Sequence, residues 1–199
     1  MTAARSTWVD SALSAAEQSH DRMARDIDFT KIKGFTFDID GVFTDGGILC
    51  DLSGELFRIF DAKDGFAIRM ARMHGYPVGI ITGGRSGSIR NRFLTCGVPQ
   101  EDVYLGSRDK VVDFEDFCKR HSLSEDEVAY SGDDIPDIET MCRCGLGFSP
   151  ADAVPEVQEI ADMVSAYPGG KGCVRDLIEK VMKAQGKWEF NVGKYKKLY

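Results

Sequence analysis

Two spacings of apolar residues alternate along this chain. Phe35–Ile39, Pro77–Thr82, Asp102–Leu105, Glu127–Ser131, Leu146–Phe148 and Met163–Val164 are short, mainly apolar runs, and they predict strands. Between them apolar residues recur at helical spacing. Asp64–His74 places Phe66, Ala67, Met70 and Ala71 on one face, and Arg108–His121 does the same with Val111, Phe114, Phe117 and Cys118. Gly172–Gln185 carries Val174, Leu177, Ile178, Val181 and Met182 in an i, i+3, i+4 stripe. Three shorter helices are predicted: Ser86–Thr95, stopping before Gly97; Ile135–Cys142, with Pro136 in its first turn; and one near Pro155–Ala161. One segment breaks the alternation. Gly46–Cys50 and Glu55–Phe60 flank the turn-rich Asp51-Leu52-Ser53-Gly54, which predicts a hairpin after the first strand.

Strand–helix alternation predicts an α/β fold, a Rossmann-like parallel sheet with helices on both faces. The domain is expected over residues 31–188. Residues 1–30 form a polar extension with helical propensity from about Ser11 to Arg25, and 189–199 form a basic tail.

In such a fold ligands sit beyond the carboxyl ends of the strands, and the polar clusters of this chain fall there. The first strand runs into Asp38-Ile39-Asp40-Gly41, with Asp45 shortly after. The Pro77 strand ends in Thr82-Gly83-Gly84-Arg85, Lys110 lies near the start of a helix, and the Glu127 strand runs into Gly132-Asp133-Asp134 and on to Asp137. Each cluster alone has a plain reading: a solvated pair, a helix-capping hydroxyl, a surface lysine. Together they bring carboxylates, a hydroxyl and an ammonium to one sheet edge, beside helix N-termini that favour anions. Hard oxygen donors from Asp38, Asp133 and the Asp40 carbonyl suit magnesium. A carboxylate can attack phosphorus, a second can move the proton, and the hydroxyl, amides and ammonium can hold the phosphoryl oxygens. His20, His74 and His121 lie away from these clusters.

In that order, the four clusters resemble the motifs of haloacid dehalogenase superfamily phosphatases. The resemblance implies that Asp38 is the nucleophile and that Asp40 is the acid/base. Thr82 and Gly83 would bind the phosphoryl group together with Lys110. Asp38, Asp40 and Asp133 would hold Mg2+, with Asp134 supporting the metal shell and Asp137 structural. Within the superfamily the chain resembles the 3-deoxy-D-manno-octulosonate 8-phosphate phosphatase family on three features. The Asp-Gly-Val-Phe-Thr-Asp-Gly run leads straight into a short hairpin with no large cap domain. The Asp61–Phe66 loop and the Gly169-Gly170-Lys171-Gly172 segment match family loops. This implies a homotetramer in which a neighbouring subunit covers each active site, acting on a phosphorylated sugar acid in cytoplasmic lipopolysaccharide precursor synthesis. Lys63, Arg85 and Lys171 would contact substrate. A nine-carbon acylneuraminate 9-phosphate is the alternative substrate, and a non-catalytic assembly module is the alternative of another class.

Composition narrows the partners. The net charge of −7 over 199 residues argues against nucleic-acid binding. No apolar run reaches the roughly 18–20 residues of a membrane span, and the N-terminus lacks the apolar core of a secretory signal. Six cysteines in a chain with ample apolar residues predict reduced, mostly buried thiols. Cys142 and Cys144 lack the second pair or nearby histidine of a zinc site.

Overall fold

The computed structural model describes residues 27–189. The helix expected at Ser11–Arg25 and the tail from residue 190 lie outside the described residues. Among those described, six parallel strands form the main sheet: β1 (Gly34–Phe37), β4 (Val78–Thr82), β5 (Val103–Leu105), β6 (Val128–Ser131), β7 (Leu146–Ser149) and β8 (Met163–Val164). Their order is β5-β4-β1-β6-β7-β8. The chain builds outward from β1 to β5, then returns to the other side of β1 for β6 to β8. The direction of winding therefore reverses between β1 and β6, whose register pairs Phe37 with Ser131. Beyond that reversal a crevice opens at the carboxyl ends of the strands.

Among the described residues six helices cover the two faces: α1 (Ala62–Met73), α2 (Gly87–Leu94), α3 (Lys110–Arg120), α4 (Ile138–Arg143), α5 (Pro155–Ile160) and α6 (Cys173–Ala184). One core layer packs α1, α2 and α6 on Phe35, Phe37 and Ile80. The other packs α3, α4 and α5 on Ile81, Val128 and Tyr130. Strands buried on both faces read as unbroken apolar runs, which is why they were legible. Two helices begin one or two residues later than the spacing suggested, because polar residues cap them, and α1 begins two residues earlier, at Ala62, behind the Asp61 cap. Ser86 accepts from the Ser88 N–H, and Asp109 from the Val111 and Val112 N–H groups.

Two elements differ from expectation. The hairpin pairs only β2 (Leu49–Cys50) with β3 (Leu56–Phe57), shorter than Gly46–Cys50 and Glu55–Phe60. A lone two-stranded ribbon lacks the neighbours that would extend its ladder. The expected Ile135–Cys142 helix divides into a 3₁₀ turn, Ile135–Asp137, and α4. Asp134 and Asp137 form a reciprocal capping box around that turn, and this fixes Asp137 beneath the crevice.

All six cysteines are free; Cys50 is exposed, Cys142 is half-buried and the others are buried. Among the described residues no helix is long and apolar enough to cross a membrane.

Candidate active site

β1 ends at Phe37, and the next residues form a tight loop. The Ile39 carbonyl accepts from the Val42 and Phe43 N–H groups at 3.1 and 2.9 Å. Phe37, Ile39, Val42 and Phe43 are all buried, each worth about 1.5–3 kcal/mol of hydrophobic burial. With the apolar residues committed to the core, Asp38 and Asp40 both line the crevice, which encloses about 600 Å³. Thr82, Gly83 and Lys110 line it too. The sequence clusters thus converge on one cleft.

Lys110, the first residue of α3, sits between two carboxylates. Its Nζ lies 3.2 Å from Asp38 Oδ1 and donates to Asp137 Oδ1 at 2.6 Å. Asp137 is wholly buried. Its Oδ1 also accepts from the Tyr130 hydroxyl at 2.6 Å, and its Oδ2 from the Asp133 and Asp134 N–H groups at 3.2 and 3.4 Å. Both oxygens of Asp137 are therefore engaged in holding Lys110 and the Asp133 loop.

Asp38 and Asp133 are placed differently. One oxygen from each of Asp38, Asp133 and Asp137 lies within 4.8 Å of the others. Asp133 Oδ1 is buried, with no hydrogen-bond partner among the described residues. Burial, then the nearby Asp137 charge, pushes the Asp38 carboxyl up to about 8 against the pull of Lys110. The same causes push Asp133 up to about 7. A buried and a half-buried carboxylate, with an orphaned oxygen and one ammonium that Asp38 shares with Asp137, are short of positive charge, and these all-oxygen donors fit a hard divalent cation. The residues present therefore fit magnesium.

Gly41 makes that approach possible. Its φ is +88°, and a Cβ there would stand 1.9 Å from Asp133 Oδ2. Gly41→Ala is expected to cost about 1–2 kcal/mol from the left-handed backbone alone. It should also raise the magnesium concentration needed for activity, because Asp133 must move aside. Urea denaturation and a magnesium titration check both, and an unchanged magnesium requirement would contradict the second part.

Thr82 is buried, and its Oγ1 accepts from the Gly84 N–H at 3.1 Å. That orients the hydroxyl beside the exposed Gly83 backbone. Asp134 is exposed, and its carboxylate accepts from the Ile135 N–H at 2.8 Å, capping the turn that carries Asp137. Arg85 lies against Gly106 and lines neither this cleft nor the next. Lys63 and Lys171 come together with Tyr167 and Arg175 around a second cleft of about 330 Å³, which shares no lining residue with the first. The glycine segment before Lys171 packs tightly behind the Asp40 loop. A Cβ on Gly169 would stand 1.9 Å from the Gly41 carbonyl oxygen, and the Gly170 N–H donates to the Val42 carbonyl.

Sequence reasoning missed Arg58. Its Nε and Nη2 donate to the two Asp40 carboxylate oxygens at 2.6 and 2.8 Å. The available signal was period two: in the expected strand Glu55–Phe60, Arg58 falls on the same face as Leu56 and Phe60. It also missed Arg108 and Glu139, which line the cleft.

An open parallel sheet with an acidic cluster, a lysine and a glycine loop at its winding reversal is the arrangement expected of a haloacid dehalogenase-like hydrolase. The family so described matches residues 100–175. The chain is 35% identical over 156 residues to the 3-deoxy-D-manno-octulosonate 8-phosphate phosphatase of Escherichia coli K12, covering 78% of this chain and 82% of that protein. The corresponding Haemophilus influenzae enzyme is 33% identical, covering 78% and 86%. The Yersinia pestis 3-deoxy-D-manno-octulosonate 8-phosphate phosphatase structure superposes with TM-score 0.77 at 32% identity, covering 85% of this chain and 88% of that one. The Moraxella catarrhalis phosphatase, solved with magnesium, phosphate and the sugar acid, gives 0.76 at 27%, covering 86% and 94%. The chain belongs to the 3-deoxy-D-manno-octulosonate 8-phosphate phosphatase family.

Proposed function

We propose that this enzyme hydrolyses 3-deoxy-D-manno-octulosonate 8-phosphate to the free sugar acid and inorganic phosphate, supplying lipopolysaccharide precursors in the cytoplasm. The observation that carries this reading is the single cleft on which Asp38, Asp40, Thr82 and Lys110 converge. Its relatives' named substrate supports the choice of sugar.

Asp38 attacks phosphorus, and the sugar alkoxide leaves with a proton from Asp40. The phosphoryl group then rests on Asp38. Asp40, now a carboxylate, takes a proton from the water that attacks phosphorus; phosphate departs and Asp38 is regenerated. Lys110, the Thr82 hydroxyl and the Gly83 N–H hold the phosphoryl oxygens throughout. Asp38, Asp133 and the Asp40 carbonyl would hold magnesium, which when bound would neutralise charge on the carboxylates and the transferring group. Lys63 and Lys171, which line the second cleft, are the proposed carboxylate contacts in the assembled enzyme, with Arg85 nearer the phosphate loop.

The test is the ratio of kcat/KM values for 3-deoxy-D-manno-octulosonate 8-phosphate and an acylneuraminate 9-phosphate, since specificity is that ratio. The eight-carbon substrate is expected to be preferred. Preference for the nine-carbon acid would overturn the assignment.

The proposed assembly is a homotetramer built through the hairpin. Leu49 and Ile59 are 70% and 87% exposed, and Leu52 and Phe57 are exposed beside them. A cluster of apolar residues on one small ribbon is unusual for a free surface. Leu49→Glu combined with Phe57→Glu should give monomers by sedimentation velocity, with reduced turnover. A monomeric wild type at micromolar concentration would rule this assembly out.

A further inference from the structure

The hairpin carries apolar residues on its outside and an arginine on its inside. Phe57 and Ile59 face solvent, whereas Leu56 and Phe60 are half-buried, and Arg58 between them keeps only its backbone near the surface. The Arg58 side chain is only 3% exposed, against 28% for Asp40. An arginine this enclosed needs an acceptor matched to its planar fork, and it has one. Nε reaches Asp40 Oδ1 at 2.6 Å and Nη2 reaches Oδ2 at 2.8 Å, while Nη1 lies 3.4 Å from the Leu56 carbonyl. The fork also borders the phosphate loop. A Cβ on Gly84 would stand 3.2 Å from Nη2, so the missing side chain at Gly84 leaves the guanidinium its space.

We propose that Arg58 is the positioning residue for Asp40, fixing the carboxyl group that exchanges the proton with the sugar oxygen and tying its placement to the hairpin. This rests on the reading of Asp40 as acid/base. A bidentate pair removes rotational freedom that a single hydrogen bond would leave. A general acid works only within hydrogen-bond reach of the oxygen it protonates. Both Asp40 oxygens accept in this arrangement, which is that of the carboxylate; the acid form carries its proton on one oxygen, which opens that bond while the other keeps the group in place, and the proton given to the sugar oxygen is regained from the attacking water. Arg58 acts through Asp40 and does not itself touch the reacting atoms. Because it stands on the hairpin, any displacement of that ribbon is transmitted to the acid/base.

The leaving group separates this role from a merely structural one. A sugar alkoxide needs a proton to depart, whereas p-nitrophenolate does not. The ratio kcat/KM stops at the first irreversible step, so later hydrolysis of the aspartyl-phosphate does not mask the difference. Asp40→Asn, Arg58→Met, Arg58→Lys and the Asp40→Asn/Arg58→Met double variant are compared on the sugar acid phosphate and on p-nitrophenyl phosphate. General acid catalysis contributes about 10²–10⁴-fold. Asp40→Asn should lose about that much on the sugar acid phosphate. Arg58→Met should lose about 10–100-fold there, with less than about threefold on p-nitrophenyl phosphate. Arg58→Lys should recover part of the loss, and the double variant should be little worse than Asp40→Asn, as expected of coupled neighbours. Activity on p-nitrophenyl phosphate reports in each variant that the nucleophile and the fold are intact.

Equal losses on both substrates in Arg58→Met, alongside a leaving-group-dependent loss in Asp40→Asn, would overturn the role of Arg58 and leave that of Asp40 standing. A fully additive double variant would do the same. Equal losses in Asp40→Asn would remove the acid/base reading itself.

Discussion

Asp38→Asn is expected to abolish turnover while leaving the fold intact. The amide keeps the shape of the side chain and can still accept from Lys110, which stands 3.2 Å from Asp38 Oδ1, but it cannot attack phosphorus. A loss on the order of 10⁴-fold or more follows, within the range that removal of an enzyme nucleophile gives. Stability supplies the control. Asp38 is raised to about 8 by burial and by Asp137, well above the roughly 3.9 of an unfolded chain. Between those values the folded state binds more protons than the unfolded state. The metal-free wild type should therefore lose stability as pH rises from about 4 to about 8. The Asn variant lacks that loss, so with a chelator present it should be the more stable of the two at pH 8 and much closer to wild type at pH 5. Urea melts at the two pH values measure this. An inactive variant that is also less stable at pH 8 would place the defect in folding.

Asp133→Asn should separate activity from stability in the same way, through the metal. Asp133 Oδ1 has no hydrogen-bond partner among the described residues, and its carboxyl is pushed up to about 7 by burial and by Asp137. Removing its charge relieves repulsion in the metal-free protein, so the apo variant should melt at or above the wild-type temperature. The magnesium concentration for half-maximal activity should rise by at least the about 10–100-fold that losing even an outer-shell partner costs. Magnesium should raise the wild-type melting temperature by mass action and barely move that of the variant. Thermal melts across a magnesium series read both effects; a variant still stabilised like wild type would remove Asp133 from the ligand set.

What the sequence disclosed follows from where the chemistry is local. The Asp38, Thr82 and Asp133 clusters each sit at the end of a strand buried on both faces. An unbroken apolar run closed by glycine and acid is visible without knowing the fold. Parallel topology then places such ends together. Helix starts were misjudged by a residue or two because Ser86 and Asp109 act as caps outside the helix rather than as its first residues. The Ile135–Cys142 segment reads as one helix because Pro136 suits a helix's first turn; the capping box formed by Asp134 and Asp137 depends on side-chain bonds that such a signal does not register.

Contacts made across the fold were harder to read. Arg58 lies between apolar residues, and its partner Asp40 is brought to it only when the hairpin folds back. Tyr130 reads as one more core aromatic until its hydroxyl is seen on Asp137. Lys63 and Lys171 are expected as substrate contacts because their loops resemble family loops, and the two do meet. They meet on a cleft separate from that of Asp38, a matter of how α1 and the glycine segment pack. Gly169 and Gly170 earned notice as a signature, but the need for them is steric, since backbone from the Asp40 loop fills the space a side chain would take.

The most direct test of this account is phosphate release by the purified wild-type protein from 3-deoxy-D-manno-octulosonate 8-phosphate, measured with magnesium and again after chelation. The account predicts turnover with magnesium, loss of turnover with chelator and recovery when magnesium is restored. No release with magnesium present, or release unaffected by the chelator, would contradict it.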